Sequence, residues 1–358
     1  MTFGKDLQTD LSRRDFTVNA MAIRLPEGEF VDPFGGVKDL AAKRLDTPLD
    51  PEIAFSDDPL RMLRAARFAA QLELAPAPRV VRAIEQMHDR LPIVSAERIG
   101  DELTKLLTAS VPSRGLELVV STGLAQEFLP ELAALQLEQD PVHKHKDVLH
   151  HTFAVVEKTE ADPSDPTLRL AALLHDVGKP KTREITPAGV SFHHHEVVGA
   201  RMARERLQAL RYPAHVVDDV ARLVEMHLRF HGYTEWSDSA VRRYVRDAGP
   251  LLDKLNQLTR ADCTTQNPFK AKKLEALQDD LEERIARLAE EENLDAMRPP
   301  LDGGQVMEHL GIPPGPEVGR ALDHLMELRL ERGPLDRGRG VASARRVVAG
   351  RARYPGVR

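Results

Sequence analysis

Apolar positions divide the chain into two regimes. Between residues 14 and 50, apolar and β-branched residues crowd Phe16–Leu25, a turn signal follows at Pro26-Glu27-Gly28, and Phe30–Phe34 reads as a returning strand. That pattern predicts a β-hairpin, and it is the only stretch that reads as sheet. From Asp58 onward apolar residues recur at helical spacing. Pro59 suits a first helical turn. Helices are predicted at 78–88, 95–108, 112–121, 123–135, 238–260, 268–292, 302–310 and 316–331. The block 141–232 is helical too, with a loop at Pro187 and Gly189. The fold class is therefore mainly α-helical. Residues 332–358 hold eight Arg against one Asp and several Gly, which reads as a mobile basic tail. Two strands do not form a stable sheet alone. The hairpin is expected to expose an apolar face and a free edge, with poor order before about residue 50.

Composition narrows the class. The chain has 358 residues, enough for two or three domains. No run of about 18 apolar residues exists, so no membrane-spanning helix is predicted. No basic and then apolar leader opens the sequence, and a cytoplasmic location is expected. Cys263 is the one cysteine, which excludes a disulfide framework. A formal charge of −6 excludes a generally cationic nucleic-acid coat while allowing a local basic groove. Aromatics are 4% of residues, so stacking platforms are few. Eleven of the 14 histidines lie between His143 and His231, a clustering that solubility does not require.

Within that block the apolar run Leu170–Leu174 predicts a buried helix that ends in His175-Asp176 and then Gly178. A His and an Asp at a helix end can bind one metal, or the Asp can bridge two. His151, His195, His227 and Asp262 are further donors on predicted helices or helix starts. Imidazoles with carboxylates suit Mn, Fe, Ni, Co or Zn, with Mg less favoured. Such a site acidifies water and polarises a phosphoryl oxygen, which is phosphoester hydrolysis. Lys179, one turn beyond Asp176, can contact phosphate, helped by Arg183. The bland reading of an isolated His-Asp pair is an incidental one. For His143, His145, His150, His193, His194 and His215 it is an exposed or capping histidine, and His231 is a spare ligand. Cys263 reads as a small buried residue. The order His151, His175-Asp176, His195-Glu196, His227, Asp262 resembles the HD-domain metal phosphohydrolases. The resemblance implies His151, His175, Asp176 and Asp262 as primary ligands, and His195 and His227 as ligands of a second metal. Asp247 and Asp253 compete with Asp262 on nearby helical turns.

The front of the chain carries Arg13–Ala20, Asp32–Leu40 and the acid-then-arginine stretch Asp57-Asp58-Pro59-Leu60-Arg61. Asp58 and Arg61 are three apart on one helix face and offer an acceptor and a forked donor to a base edge. Arg64 and Arg67 continue that face toward phosphate. The alternative is a helix cap with solvated arginines. These stretches resemble the class II tRNA nucleotidyltransferases, the CCA-adding enzymes and bacterial poly(A) polymerases. Arg13–Ala20, with Arg14, Asp15 and Asn19, resembles the ribose-recognising segment, and Asp32–Leu40 the flexible turn. Asp58 and Arg61 resemble the pair that reads CTP or ATP, with Asp57 where Glu is usual. Ser95–Ile99 with Glu102 resembles the last motif of head and neck. Leu301–Gly304 and Ile312–Gly319 resemble the tail of members that carry an HD domain.

The resemblance implies a partial nucleotidyltransferase α/β head at 1–50 and a helical neck at 51–135. An HD domain at 141–265, a helical tail at 266–331 and the basic terminus 332–358 follow. It also implies a Gly-Gly turn and an Asp-x-Asp strand ahead of Arg13, where two Mg ions would hold the triphosphate. The twelve residues there contain neither; Asp6 and Asp10 stand four apart in a polar stretch. The chain is read as a family member starting at an internal Met, through a misassigned start, an engineered truncation or a decayed gene. Three functions follow as expectations. The first is addition of C and A to tRNA 3′ ends from CTP and ATP, with polymerisation by this chain in doubt. The second is metal-dependent cyclic phosphodiesterase or phosphatase activity of the HD site. The third is a helical RNA-binding remnant without catalysis.

Overall fold

The structure, a computed structural model, describes residues 6–137, 147–186, 189–263, 267–292 and 298–350. It is mainly helical and divides into two compact units, Met1–Leu228 with Gln257–Thr264, and Arg229–Asn256 with Thr265–Arg358.

The first unit opens with α1 (Leu7–Ser12) and a tight 3-10 turn at Thr17–Asn19. Strands β1 (Ala22–Arg24) and β2 (Glu29–Val31) then pair antiparallel, Ala22 opposite Val31. The strand predicted over Phe16–Leu25 is thus only three residues long. Phe16 is fully buried, edge-on to Phe68 at 5.5 Å, and that anchor bends the backbone before the strand begins. The hairpin exposes Ile23, Leu25 and Phe30, as its lack of sheet neighbours predicts. The residues around it are packed instead, with Val18, Ala20 and Leu45 buried, contrary to the looseness expected before residue 50. The expected flexible turn at Asp32–Leu40 is largely helix α2 (Gly36–Ala41). Asp32 caps it, its two carboxylate oxygens accepting from the backbone N–H of Gly36 (2.7 Å) and Val37 (3.0 Å).

Next come β3 (Arg44–Leu45), α3 (Pro51–Asp57), α4 (Leu60–Gln71) and β4 (Ala75–Pro76), with β3 parallel to β4. Helices α5 (Pro78–Met87), α6 (Ala96–Leu107), α7 (Pro112–Ser121), α8 (Leu124–Phe128) and α9 (Pro130–Ala133) follow. The single helix expected over 123–135 divides at Pro130, which takes a first-turn position in α9. Leu63, Ala65 and Ala66 of α4 are wholly buried, and a Cβ on Gly115 of α7 would lie 2.5 Å from the Ala66 carbonyl. Only glycine allows that approach.

The histidine-rich part contains α10 (Val148–Lys158), α11 (Thr167–Leu174), α12 (Lys179–Thr182), α13 (His195–Ala209) and α14 (Ala214–Met226). It also holds a second hairpin that the sequence reading missed, β5 (Glu184–Thr186) with β6 (Gly189–Ser191). Three polar joints tie this part to the helices before it. The buried Arg169 guanidinium donates to the carbonyls of Leu107 (2.7 Å) and Thr159 (3.0 Å) at the ends of α6 and α10. Those carboxyl-terminal dipole ends suit a cation. Tyr212 donates to the Gly100 carbonyl (2.8 Å), and burial pushes its pKa up to about 12. Arg206 forks onto Glu131 at 2.8 and 3.0 Å.

The helix expected over 238–260 is broken at Gly249-Pro250 into α15 (Asp238–Ala248) and α16 (Leu252–Asp262). The second unit continues with α17 (Pro268–Glu292), α18 (Gly303–Leu310), α19 (Pro316–Arg332) and α20 (Arg337–Val348). Helix α20 corrects the mobile-tail expectation. Its Ala344 joins a buried cluster with Leu301, Val306, Ala321 and Leu325, and Val341 and Val348 pack beside them. The last eight residues of that expectation, 351–358, lie outside the described residues. Among the described residues no helix is long and apolar enough to cross a membrane.

Candidate metal centre and front cavity

Five helices converge on one cluster. Helix α11 ends at His175, α14 ends at His227, α16 ends at Asp262, α13 begins at His195, and α10 carries His151 in its first turns. Three of the rings are fixed in the same way. Nδ1 of His175, His195 and His227 lies 2.8, 2.8 and 2.6 Å from the carbonyls of Ala172, Phe192 and Val224, each three residues earlier. That contact commits the proton to Nδ1 and turns the Nε2 lone pair into the cluster. His175 Nε2 is 3.3 Å from His151 Nε2 and 3.2 Å from Asp176 Oδ2. Asp262 Oδ1 is 2.9 Å from His151 Nε2 and 3.7 Å from His175 Nε2. Asp176 Oδ1 lies 3.3 Å from His195 Nε2, so this carboxylate faces both sets of imidazoles.

Two ligand groups result, His151–His175–Asp176 and Asp176–His195–His227, with Asp176 common to both. The fit to a divalent metal is tested by the polar atoms left over. Nε2 of His195 and of His227 are buried with no hydrogen-bond partner, a costly state for a lone pair unless a cation takes it. Nitrogen and carboxylate donors together match Mn, Fe, Ni, Co or Zn better than Mg. The HD region therefore holds a complete set of ligands for a divalent metal. Lys179 Nζ is 2.6 Å from Asp176 Oδ2, over the Phe192 ring.

The charges are strongly coupled. Burial opposes the charge on Asp176, yet the His175 cation beside it holds its carboxyl well below the usual range. Burial opposes the cation on His175, but the carboxylates of Asp176 and then Asp262 outweigh it and raise its pKa. Burial and then the His175 charge push His227 down to about 3. His227 is thus a neutral donor at ordinary pH, while below its raised pKa His175 must give up a proton to take a metal. Metal affinity should fall by about tenfold per pH unit below the raised pKa of His175. Competition with a chromophoric chelator at pH 6 and pH 8 measures this; equal affinities would contradict it.

The other sequence candidates separate cleanly. His150, His193, His194, His215 and His231 are exposed, Cys263 is half-buried, and His143 and His145 lie outside the described residues. Asp247 is held by Arg229 and Arg246, and Asp253 is exposed. Sequence reading took Gly178 only as the end of the helix and missed its packing role: an added Cβ would fall 2.1 Å from the His195 carbonyl. A glycine two residues after a His-Asp pair was the available signal.

The front residues surround a cavity of about 420 Å³ lined by Arg13, Arg14, Asp15, Asn19, Asp58, Arg61 and Arg64. The side chains of Asp58 and Arg61 do not bond each other; only the Arg61 backbone N–H donates to the Asp58 carbonyl (3.0 Å). Asp58 accepts from Arg98 Nη2 (2.8 Å) and from Leu60 N (3.2 Å), while Arg61 donates to the carbonyls of Arg13 and Ala54. Arg64 Nε donates to the buried Asp15 (2.8 Å), which also accepts from Asn19 Nδ2 (3.1 Å). Arg67 lies outside the cavity, paired with buried Glu102 at 2.7 Å. Glu102 and Arg98 had been read only as part of a motif, not as partners of these side chains.

A partial α/β front, helices bearing a charged cavity, and a five-helix imidazole–carboxylate centre define a nucleotidyltransferase-type chain with an HD domain. Residues 1–46 match the poly(A) polymerase head domain. Residues 73–136 match the probable RNA- and SrmB-binding site of polymerase A, and 148–305 the HD domain. The A-adding tRNA nucleotidyltransferase of Deinococcus radiodurans is 38% identical over 335 residues, covering 90% of this chain and 75% of the relative. The CC-adding tRNA nucleotidyltransferase of Thermus thermophilus is 36% identical over 339 residues, covering 91% and 74%. The crystal structure of the Bacillus stearothermophilus CCA-adding enzyme in complex with CTP superposes with a TM-score of 0.71. It is 25% identical, and the match covers 98% of this chain and 76% of that one. The chain belongs to the class II tRNA nucleotidyltransferase family, in the branch that carries an HD domain.

Proposed function

We propose that the chain binds CTP or ATP and a tRNA end with its front half, and hydrolyses phosphoesters at its HD centre. The names of its relatives, which add A or CC to tRNA or were crystallised with CTP, support the first part. In this reading Arg14, Asp15, Asn19, Asp58, Arg61 and Arg64 hold the nucleotide, and Arg67 buttresses them through Glu102. In this reading the domains are a head at 1–50, a neck at 51–135, an HD domain at 141–265 and a tail at 266–331, with α20 of the basic stretch 332–358 packed onto the core of the tail. We assign hydrolysis to the HD centre, while nucleotide addition is the activity that the names of the relatives carry.

The observation that carries the second part is the buried, unpartnered Nε2 of His195 and of His227 facing Asp176. His151, His175, Asp176 and Asp262 would hold one divalent metal, and His195 and His227 with Asp176 a second. Bound there, a metal supplies a Lewis acid for the phosphoryl oxygen and acidifies water. Lys179, oriented by Asp176, would neutralise the phosphate, with Arg183 beside it. A non-catalytic remnant is the weaker reading, because unpartnered buried imidazoles destabilise a fold that does not use them.

The test loads purified protein with Mn or Ni and follows hydrolysis of nucleoside 2′,3′-cyclic phosphates and of bis(p-nitrophenyl) phosphate. Hydrolysis should be abolished by chelator and lowered more than about 100-fold by His175→Ala. Hydrolysis indifferent to both chelator and His175→Ala would end the hydrolase reading.

A further inference from the structure

The first three turns of α17 contribute little to the packing of the unit they belong to. Its buried side chains, Gln278, Leu281 and Leu288, all lie further along. Near its start Phe269 is 87% exposed, the highest value among the large hydrophobic residues, and Lys270, Lys272 and Lys273 beside it are exposed too. No acidic residue stands in the first turn. Three cations at the amino end of a helix oppose its dipole. Among the described residues no ion pair offsets them. Phe269, Lys272 and Lys273 occupy positions i, i+3 and i+4 and so share a face. The half-buried Ala271 and Leu274 mark the opposite side. The helix start is itself well formed, because Asn267 Oδ1 accepts from the backbone N–H of Phe269 (3.0 Å) and Lys270 (3.2 Å). The ring and the ammonium groups are thus presented to solvent from a capped helix.

We propose that this face is an RNA contact, with Lys272 and Lys273 on it and Lys270 at its edge reaching successive phosphates, and the Phe269 ring stacked on an unpaired base. RNA offers both things the face lacks, negative charge at regular spacing and a flat π-surface for an exposed ring. An acidic peptide would satisfy the lysines and leave the ring in water. The proposal rests on the reading above only in taking tRNA as the RNA.

The experiment measures binding by the full chain of a tRNA lacking its 3′ end and of a labelled single-stranded oligoribonucleotide, by fluorescence anisotropy between 50 and 200 mM salt. Replacing all three lysines by Gln should reduce the slope of log affinity against log salt by about 2, at roughly 0.7 per phosphate contact on a single strand. Phe269→Ala should weaken binding by about 5- to 150-fold, and Phe269→Trp should restore it. These exposed positions leave the fold intact, which circular dichroism checks. Parent-like affinity and slope in both variants, with tRNA still bound, would overturn this contact alone. A lysine effect without a Phe269 effect would overturn it too, as bare charge attraction. A chain that binds neither RNA would remove both the contact and the tRNA half of the proposed function, while leaving hydrolysis to be judged separately.

Discussion

Asp176→Asn is expected to empty both halves of the imidazole–carboxylate cluster and to lower phosphoester hydrolysis about a thousandfold or more. The substitution keeps the shape of the side chain and removes one charge. Asp176 is 1% exposed and is the one residue common to the two ligand groups. Its Oδ2 stands 3.2 Å from His175 Nε2 and 3.6 Å from His151 Nε2, and its Oδ1 stands 3.3 Å from His195 Nε2. An amide in that place offers a weaker oxygen to one side and an N–H, which repels a cation, to the other. Several kcal/mol of Lewis-acid stabilisation, at about 1.36 kcal/mol per decade of rate, corresponds to the stated loss. Lys179 would lose its carboxylate partner at 2.6 Å as well. His195→Ala is the comparison, because it strips only one group and should leave metal bound at His151, His175 and Asp262. Elemental analysis of the dialysed proteins, alongside hydrolysis rates, checks both. The metal-free variant gives a third readout by NMR titration. Burial alone depresses His175, and the Asp176 carboxylate is the leading attraction that overcomes it. The His175 pKa should therefore fall in Asp176→Asn. Parent-like metal content in this variant would show that Asp176 is not a shared ligand.

Much of this centre was legible from sequence, for a local reason. His175 and His227 close apolar helices, and His195 opens a polar one, so each Nδ1 meets a carbonyl three residues earlier and each Nε2 is aimed by backbone geometry alone. What joins distant elements was not legible. Arg64 was read as reaching for phosphate, but its carboxylate partner Asp15 is 49 residues away and no local pattern announces it. Arg67 and Glu102 are the same case. Helix α20 was hidden for a compositional reason. Its Arg and Gly content resembles a solvated tail, whereas Val341, Ala344 and Val348, at i, i+3 and i+7, form the stripe that packs on the unit's core. Asp336, accepting from Arg339 N at 2.8 Å, was the overlooked cap. The hairpin at β5 and β6 consists of two three-residue strands, too short for alternation to stand out.

Gly178→Ala should disable the centre from outside the ligand set, with a loss of about 3 kcal/mol or more of stability and the collapse of hydrolysis. Gly178 has φ −75° and ψ −22°, a conformation any residue adopts, so backbone freedom is not what the position requires. Space is. A Cβ there would stand 2.1 Å from the His195 carbonyl oxygen and 2.8 Å from the Gly199 nitrogen, both backbone atoms that no rotamer change can move. Segment 176–179 and the start of α13 would have to separate by more than an ångström, and overpacking of that kind costs about 1–3 kcal/mol even where side chains can yield. The separation acts directly on the chemistry, because it carries His195 Nε2 away from Asp176 Oδ1 and opens the second ligand group. Gly199, across the same contact, supplies the control. A Cβ there would meet Gly178 N at 3.3 Å and Val224 Cγ1 at 3.4 Å, a tight contact that a shift of a few tenths of an ångström relieves. Gly199→Ala should therefore cost less than Gly178→Ala and keep more of the hydrolysis. Urea unfolding of the two variants with metal removed separates the packing effect from ligand loss. Equal stability and equal hydrolysis in Gly178→Ala and Gly199→Ala would mean that the close approach of these two backbones does not set the geometry of the centre.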